Sequence, residues 1–330
     1  MIPELSNEAV NSLASKYDFN GGQIENIARH FTIETILKCE DTIILQTLQT
    51  YCEQESIKKR RRELALICDY FVPLHSNSNK MSQAECIIFP DIHGRDFWKS
   101  ALRDDCEWET NTYIFLGDFF DPYPYEHISV KRAISNFIEL QKSADELKSK
   151  GKTVVALIGN HDAHYINWLF DQHVGGVRKS RYYARQIRSL LTSIPDFTHS
   201  IAYEMVVVNK RILFTHAGVT LDWYNEHKNL IGELTADNLN QLTHSDGGWI
   251  SLCDVSWERG GYDNTGSCIY ADLNDHYTED DEILPIPNYN YQVFGHTQQE
   301  KFPVINNRFA MLDCRHPFAM TTDLKFHQID

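Results

Sequence analysis

Five short runs of the chain carry the side chains that metal-dependent hydrolysis needs, and each run follows an apolar stretch. Carboxylate and imidazole groups are ligands preferred by divalent metals that activate water. Two such ions held about 3.5–4 Å apart can bind both the attacking and the leaving oxygen of a displacement at phosphorus. The runs occupy residues 90–95 (PDIHGR), 117–121 (GDFFD), 159–162 (GNHD), 215–218 (THAG) and 294–297 (FGHT). Their number and order predict a dinuclear phosphoesterase site.

The first ion is expected to take its ligands from the first two runs. Asp91 and His93 lie two residues apart, so at the end of a strand their side chains share a face and can reach one ion. Asp118, after the next strand, is suited to bridge both ions. The second ion takes Asp118 together with Asn160, His216 and His296. The neutral amide oxygen in that set adds a ligand without adding negative charge.

The elements that must position these side chains are short, nearly continuous apolar runs, typical of strands buried on both faces. The predicted strands occupy residues 86–89, 112–116, 153–158, 211–214, 291–294 and 309–312. A helix is predicted from about residue 129 to 150, and its apolar side carries Val130, Ile134, Phe137, Ile138 and Leu147. In such α/β sheets ligands gather beyond the carboxyl ends of the strands, where all five runs fall.

The chain divides into two predicted units. Residues 1–71 have apolar side chains at spacings of three and four, which predicts a small all-α domain. Residues 72–83 are polar and turn-prone and form the predicted linker, and residues 84–330 form the catalytic domain.

The composition of the chain argues against two classes of binding partner, nucleic acid and membranes. Lys and Arg total 31 against 46 Asp and Glu, a net charge of −15, so binding to nucleic acid or to an anionic membrane through a general basic field is not expected. The chain has no apolar stretch approaching about 18 residues and no export signal at its start, which predicts a cytoplasmic protein without a membrane partner.

The five-part pattern D-x-H-G, G-D-x-x-D, G-N-H-D, H-A-G and G-H-T, over about residues 85–315, resembles the calcineurin-like metallophosphoesterases. Within them it is most similar to the branch of protein serine/threonine phosphatases and diadenosine tetraphosphate hydrolases. The resemblance implies a four-layer α/β/β/α sandwich and two divalent ions, Mn, Fe or Zn. It also implies the same division of ligands, with Asp91, His93 and Asp118 on one ion and Asp118, Asn160, His216 and His296 on the other.

The resemblance also assigns roles around the ions. It makes His161 the general acid and Asp121 the carboxylate that orients it, which agrees with the chemistry of a His held in one tautomer. Asp162 stands where the phosphatases often have Glu and the dinucleotide hydrolases have Asp, and supporting hydrogen bonds are expected from it. Asp313, after the last strand, is expected to have a structural role only.

The sequence departs from the phosphatase pattern at one functional position. An Arg that grips the substrate phosphate usually follows G-D-x-x-D, but here Pro122 and Tyr123 follow it. Arg95 and Arg259 are the candidate replacements. The segment 171–188 carries several basic side chains, among them Arg178, Lys179, Arg181 and Arg185, and either binds the remainder of an anionic substrate or forms a solvated helix.

Residues 17–29 and the basic run 58–62 resemble the C-terminal helical lid of AAA-type ATPases. The chain has no G-x-x-x-x-G-K-[ST] loop, so ATP hydrolysis by this unit alone is not expected. The unit is interpreted as a docking element for an AAA-type ATPase partner or a fusion remnant, and an unrelated helical domain is the alternative.

The predicted function is phosphomonoester hydrolysis of the serine/threonine phosphatase type, with a dinuclear metal-activated hydroxide as nucleophile and a phosphoprotein as substrate. One alternative with the same chemistry is hydrolysis of a dinucleotide polyphosphate or a cyclic nucleotide. Another alternative is a non-catalytic binding module with a phosphoesterase fold, against which the complete ligand set argues.

Overall fold

The structure is a computed structural model that describes residues 71–72, 81–175, 177–278 and 280–330. The predicted helical unit, apart from residue 71, lies outside the described residues, as do residues 73–80 of the predicted linker. The lid resemblance therefore stays a prediction. One short strand, Phe71–Val72, spans the start of the predicted linker, and another, Ser82–Gln83, lies at its end.

The strands of the described residues are β1 (Phe71–Val72), β2 (Ser82–Gln83), β3 (Cys86–Phe89), β4 (Trp108–Glu109), β5 (Thr112–Phe115), β6 (Thr153–Ala156), β7 (Ala202–Val207), β8 (Lys210–Thr215), β9 (Tyr291–Phe294), β10 (Val304–Ile305), β11 (Phe309–Met311), β12 (Phe318–Met320) and β13 (Phe326–Gln328). Their α-helices are α1 (Val130–Ser149), α2 (Asn160–Ile166), α3 (Leu169–His173), α4 (Ala184–Leu191), α5 (Leu221–Ile231), α6 (Ala236–Gln241) and α7 (Asp246–Ser251). Short 3₁₀ helices lie at Phe97–Leu102, Pro124–Glu126, Phe197–His199, Leu242–His244, Trp257–Arg259 and Leu273–His276.

The strands form two main sheets. The first has the order β1-β13-β12-β3-β5-β6, and its neighbours β3, β5 and β6 run parallel. The second has the order β10-β11-β9-β8-β7, in which β8, β9 and β11 are parallel and β7 pairs with β8 as an antiparallel hairpin. β2 and β4 form a separate two-stranded ladder. The parallel strands of each sheet direct their carboxyl ends to one edge.

The two sheets pack through the alternate side chains of their strands, since successive residues of a strand point to opposite faces. Ile88 of β3 and Ile114 of β5 belong to one buried cluster with Ile212, Phe214 and other inward-facing residues of the second sheet. Ile87 and Phe89, on the opposite face of β3, join the cluster that includes α1. Burial on both faces explains why these strands are almost entirely apolar.

Helices cover the outer faces of the sheets. α1 begins after Ser129, whose hydroxyl accepts a hydrogen bond from the Arg132 amide, and it buries Ala133, Ile134 and Phe137. Ile138 was predicted on the apolar side of this helix, but it does not lie on the buried face. It is 36% exposed and lines a groove beside β6. On the other side, Leu213 of β8 shares a buried cluster with residues of α5 and α6. The predicted α/β fold with two sheets flanked by helices is confirmed.

No helix within the described ranges is long and apolar enough to cross a membrane.

Candidate active site

The five predicted runs meet at one edge of the two sheets. They follow β3, β5, β6, β8 and β9, so the ends of strands from both sheets contribute. The structure brings together all six predicted metal ligands, and none is more than 7% exposed. These ligands are Asp91, His93, Asp118, Asn160, His216 and His296.

Asp118 occupies the centre of this cluster. Its Oδ2 lies 3.4 Å from Nε2 of His93 and 3.5 Å from Nε2 of His216. Its other oxygen, Oδ1, accepts a hydrogen bond of 2.9 Å from the backbone amide of His161. One carboxylate oxygen therefore lies between two imidazoles, one that follows β3 and one that follows β8.

The imidazoles of His93 and His216 have fixed orientations. Nδ1 of His93 donates to the Phe120 carbonyl at 2.7 Å, and Nδ1 of His216 donates to the Leu116 carbonyl at 2.8 Å. In each neutral ring the lone pair then lies on Nε2, the atom that faces Asp118. Burial lowers the pKa of His93 well below its ordinary value, which keeps the ring neutral as a metal ligand must be.

The other side of the cluster gathers acceptor atoms around His216. Its Nε2 lies 3.1 Å from Oδ1 of Asn160, 3.0 Å from Nδ1 of His296 and 4.0 Å from Oδ2 of Asp91. Nε2 of His296 is buried and has no hydrogen-bond partner among the described residues. Burial lowers the pKa of His296 well below its usual value, which keeps the ring neutral, as a metal ligand must be. The donor set fits divalent metal ions.

The carboxylate and imidazole atoms that lie close enough together to hold an ion form two groups that share Asp118. One group contains Asp91, Asp118, His216 and His296, and the other contains His93, Asp118 and His161. Within each group the potential ligand atoms lie within 4.8 Å of one another. Proximity places Asp91 with His216 and His296, and the assignment of Asp91 and His93 to one ion stays a prediction.

His161 and Asp121 form the predicted pair. Nδ1 of His161 lies 3.1 Å from Oδ2 of Asp121. The other oxygen of Asp121 accepts hydrogen bonds from the Tyr165 hydroxyl at 2.6 Å and from the Ser180 amide at 3.3 Å. The carboxylate is thus held on both oxygens, and it can fix the tautomer and direction of the His161 ring. No motif in the sequence singles out Tyr165 or Ser180.

Asp162 supports the loop that carries Asp118. Its carboxylate accepts three hydrogen bonds from backbone amides, from Asp118 at 2.7 Å, Gly159 at 3.0 Å and Phe119 at 3.1 Å. Asp162 is fully buried, so its predicted supporting role takes the form of a bridge between the second and third runs. Asp313 is also buried, and burial together with the nearby Asp91 raises its pKa well above the usual range.

Four residues of the site have strained backbone conformations. His93, Asp118, Asp121 and His296 have φ values of 44°, 52°, 61° and 68°, in the left-handed region that non-glycine residues seldom adopt. Such conformations cost on the order of 1–3 kcal/mol each and persist where the surrounding structure dictates them. Of the twelve non-glycine residues with positive φ among those that the structure describes, these four belong to the predicted site.

Two glycines of the motifs are required by close approach to the carboxylates. A Cβ added at Gly159 would lie 2.1 Å from Oδ1 of Asp118, and one added at Gly295 would lie 2.2 Å from Oδ1 of Asp91. The Gly of G-N-H-D and the Gly of G-H-T thus leave room for the two acidic ligands.

The two predicted phosphate-binding arginines lie beside the cluster but are engaged by protein groups. Arg95 is buried, its Nε donates to Oε1 of Glu126 at 2.8 Å and its Nη1 donates to the Asp91 carbonyl at 3.0 Å. Arg259 donates from Nη2 to the Thr297 hydroxyl at 2.8 Å and to the His296 carbonyl at 3.1 Å. Each guanidinium therefore contacts the backbone of a ligand residue.

A third arginine reaches the site from the segment 171–188. Nη2 of Arg178 donates to the Asp121 carbonyl at 3.2 Å, and its guanidinium carbon lies 3.7 Å from the centroid of the Tyr123 ring. The sequence placed Arg178 only within a basic segment. Tyr123, an aromatic residue where the phosphatases have Gly, was the one local signal that could have drawn attention to this contact.

Comparison with known proteins gives a family. The profile of the calcineurin-like phosphoesterases matches residues 86–300. No curated protein matches the chain. Among solved structures, the chain is similar to a cold-active protein-tyrosine phosphatase of a psychrophilic Shewanella species, with 17% identity, a TM-score of 0.44, and coverage of 81% of this chain and 84% of that one. It is also similar to a protein serine/threonine phosphatase from Saccharomyces cerevisiae, with 12% identity, a TM-score of 0.40, and coverage of 83% and 88%.

The chain belongs to the calcineurin-like phosphoesterase family. It is a metal-binding hydrolase that acts on phosphoester bonds, and its Asp and His groups are placed to hold divalent metal.

Proposed function

We propose that the chain is a two-metal phosphomonoesterase of the serine/threonine phosphatase type. The observation that carries this proposal is the position of Asp118, whose Oδ2 lies within 3.5 Å of imidazoles on both sides. Asp91, His93, Asn160, His216 and His296 would complete the two coordination sets. The ions, when bound, would activate water and neutralise the charge that develops on the phosphoryl oxygens.

His161 is the group that protonates the leaving oxygen. Its Nδ1 is occupied by Asp121, which leaves Nε2 as the nitrogen that exchanges a proton with substrate. Tyr165 and the Ser180 amide hold the far oxygen of Asp121, so the imidazole is oriented before substrate arrives. General acid catalysis of this kind contributes roughly 10²–10⁴-fold to a rate.

Arg95 and Arg259 keep the loops of the ligands in place. Arg95 holds the Asp91 carbonyl, and Arg259 holds the His296 carbonyl. Glu126 lies 2.8 Å from the first guanidinium and Asp272 lies 2.9 Å from the second, so much of their positive charge is balanced within the protein.

The proposed substrate is a phosphorylated protein side chain. Hydrolysis of a dinucleotide polyphosphate is the second candidate, because Asp162 matches the dinucleotide hydrolases at a position where the phosphatases often have Glu. His161 and Asp121 would perform the same steps on either substrate. The two substrates differ in the group to which the reacting phosphoryl is attached.

The test uses the purified full-length chain loaded separately with Mn²⁺, Fe²⁺ or Zn²⁺. Rates are measured on phosphoserine, phosphothreonine and phosphotyrosine peptides, mononucleotides and diadenosine tetraphosphate, with chelated protein as control. We expect metal-dependent release of phosphate from at least one class of phosphopeptide. Cleavage restricted to diadenosine tetraphosphate would replace the first candidate with the second, and inactivity on every substrate with stoichiometric metal bound would contradict both.

A further inference from the structure

Arg178 lies outside the five runs, between α3 and α4, yet it contacts the loop that follows G-D-x-x-D. Its Nη2 donates to the carbonyl of Asp121, the last residue of that motif, at 3.2 Å. Its guanidinium packs over the ring of Tyr123 at 3.7 Å from the centroid. The side chain thus reaches, from another part of the chain, the loop on which the phosphatases carry their phosphate-gripping Arg.

The three arginines near the cluster differ in how their charge is balanced. Glu126 neutralises Arg95 and Asp272 neutralises Arg259, at 2.8 and 2.9 Å. Within the described ranges, no carboxylate forms an ion pair with Arg178, whose single protein hydrogen bond goes to a neutral carbonyl. Its Nε is buried without a hydrogen-bond partner in the same residues, as is Nη2 of Arg95. Arg178 therefore differs from Arg95 and Arg259 in its unbalanced positive charge.

Tyr123 links this guanidinium to the ligand cluster. The Tyr123 ring meets the His93 ring edge-on, with centroids 5.2 Å apart, while its face supports Arg178. An aromatic face holds a planar guanidinium in a defined orientation and leaves its edge free for hydrogen bonds. The ring of Tyr123 thus contacts both Arg178 and a predicted metal ligand.

We propose that Arg178 binds the phosphoryl group of the substrate, with Tyr123 as its support, and so replaces the Arg that follows G-D-x-x-D in the phosphatases. This inference rests on the proposed phosphomonoesterase function and deepens it. The ligand class is a dianionic phosphate, which presents the oxygens that a guanidinium binds through charge-assisted hydrogen bonds. Arg95 and Arg259 are then positioning residues that hold loops and do not touch the phosphoryl group.

The experiment compares Arg178→Ala and Arg178→Lys with the matched control Arg181→Ala, an exposed basic residue of the same segment. Metal content, kcat/KM for p-nitrophenyl phosphate and the affinity for inorganic phosphate are measured on metal-loaded full-length protein. We expect Arg178→Ala to keep its metal, to lose about tenfold or more in kcat/KM and to bind phosphate about tenfold more weakly or worse. Arg181→Ala should stay within about twofold of wild type.

Guanidinium ion supplies a further readout that a purely structural role would not move. Added guanidinium should restore part of the activity of Arg178→Ala and should leave Arg181→Ala unchanged. Arg178→Lys keeps the charge but loses the planar fork, so it should fall between wild type and Arg178→Ala. Thermal unfolding of each variant identifies a folding defect. If Arg178→Ala does not fold, Arg178→Lys is compared with wild type and Arg181→Ala in its place.

Two results separate the inference from the function on which it rests. Unchanged phosphate affinity and unchanged kcat/KM in folded, metal-loaded Arg178→Ala would overturn the role of Arg178 while leaving phosphomonoester hydrolysis intact. If the wild type hydrolyses no phosphoester, the proposed function fails, and calorimetric binding of inorganic phosphate to the same variants still decides whether Arg178 binds a dianionic phosphate.

Discussion

Nδ1 of His161 lies 3.1 Å from Oδ2 of Asp121, and the two residues come from different strand ends of the same sheet. His161 follows β6 within α2, whereas Asp121 follows β5. The backbone amide of His161 also donates to Oδ1 of Asp118. His161, the proposed general acid, is therefore held by its side chain to Asp121 and by its backbone to the carboxylate at the centre of the ligand cluster.

Substitution of His161 and of Asp118 should separate proton transfer from metal binding. His161→Asn should retain bound metal and lose roughly 10²–10⁴-fold in kcat, because it removes only the proton donor. Asp118→Asn should lose metal and activity together, because one neutral amide replaces the charge that both ligand groups share. Metal analysis of the same samples used for kinetics checks the assignment, and loss of metal from His161→Asn to the same extent as from Asp118→Asn would disprove it.

The sequence predicted the elements that hold this site because their signals are local. β9 (Tyr291–Phe294) and β3 (Cys86–Phe89) have the predicted bounds, since continuous apolar runs mark strands buried on both faces. β7 (Ala202–Val207) was not predicted, because Tyr203, Glu204 and Met205 are only partly buried on an edge strand and break the apolar pattern. Predicted ligand types were likewise recoverable from motifs that stand directly after strands.

The parts of the site that were not predicted depend on contacts between distant segments. Tyr165 and Asp121 are 44 positions apart, and Arg178 and Asp121 are 57 apart. A tyrosine within a helix and an arginine within a basic segment have no local pattern that reports such a partner.

The absence of a side chain at Gly159 should prove essential for metal binding and for stability. Gly159→Ala places a methyl group 2.1 Å from Oδ1 and 2.4 Å from the backbone nitrogen of Asp118, so the ligand loop must move. We expect loss of metal affinity and a fall in the free energy of unfolding of about 1–3 kcal/mol, the usual cost of overpacking. Gly247→Ala is the matched control, since nothing lies within 4 Å of its added methyl group. Urea denaturation and metal titration of both variants test this, and equal behaviour would contradict the packing argument.

Residues after Met81 should suffice for metal binding and hydrolysis. Every predicted ligand follows this residue, and β1, which precedes it, adds only a two-residue parallel pairing with β13 at the edge of the first sheet. A chain that starts at Met81 should therefore keep its metal content and kcat, with slightly lower thermal stability than one that starts at residue 70. An insoluble or inactive chain from Met81, beside an active chain from residue 70, would show that the edge strand is part of the folding unit.

His227 should make stability depend on pH at a distance from the metal ligands. Its Nε2 lies 2.5 Å from Oδ2 of Asp254, and this hydrogen bond, which outweighs the opposing effect of burial, raises the pKa of His227 above its ordinary value. The folded state therefore binds this proton more tightly than the unfolded state. The resulting stabilisation is fully present below about pH 6.5, the unfolded value, and is lost as pH rises through the higher folded pKa. The difference in free energy of unfolding between wild type and His227→Gln, from urea denaturation at pH 5.5 and pH 9, should shrink at the higher pH. A difference that grows with pH would mean that the neutral imidazole, and not the imidazolium, is the form that Asp254 stabilises.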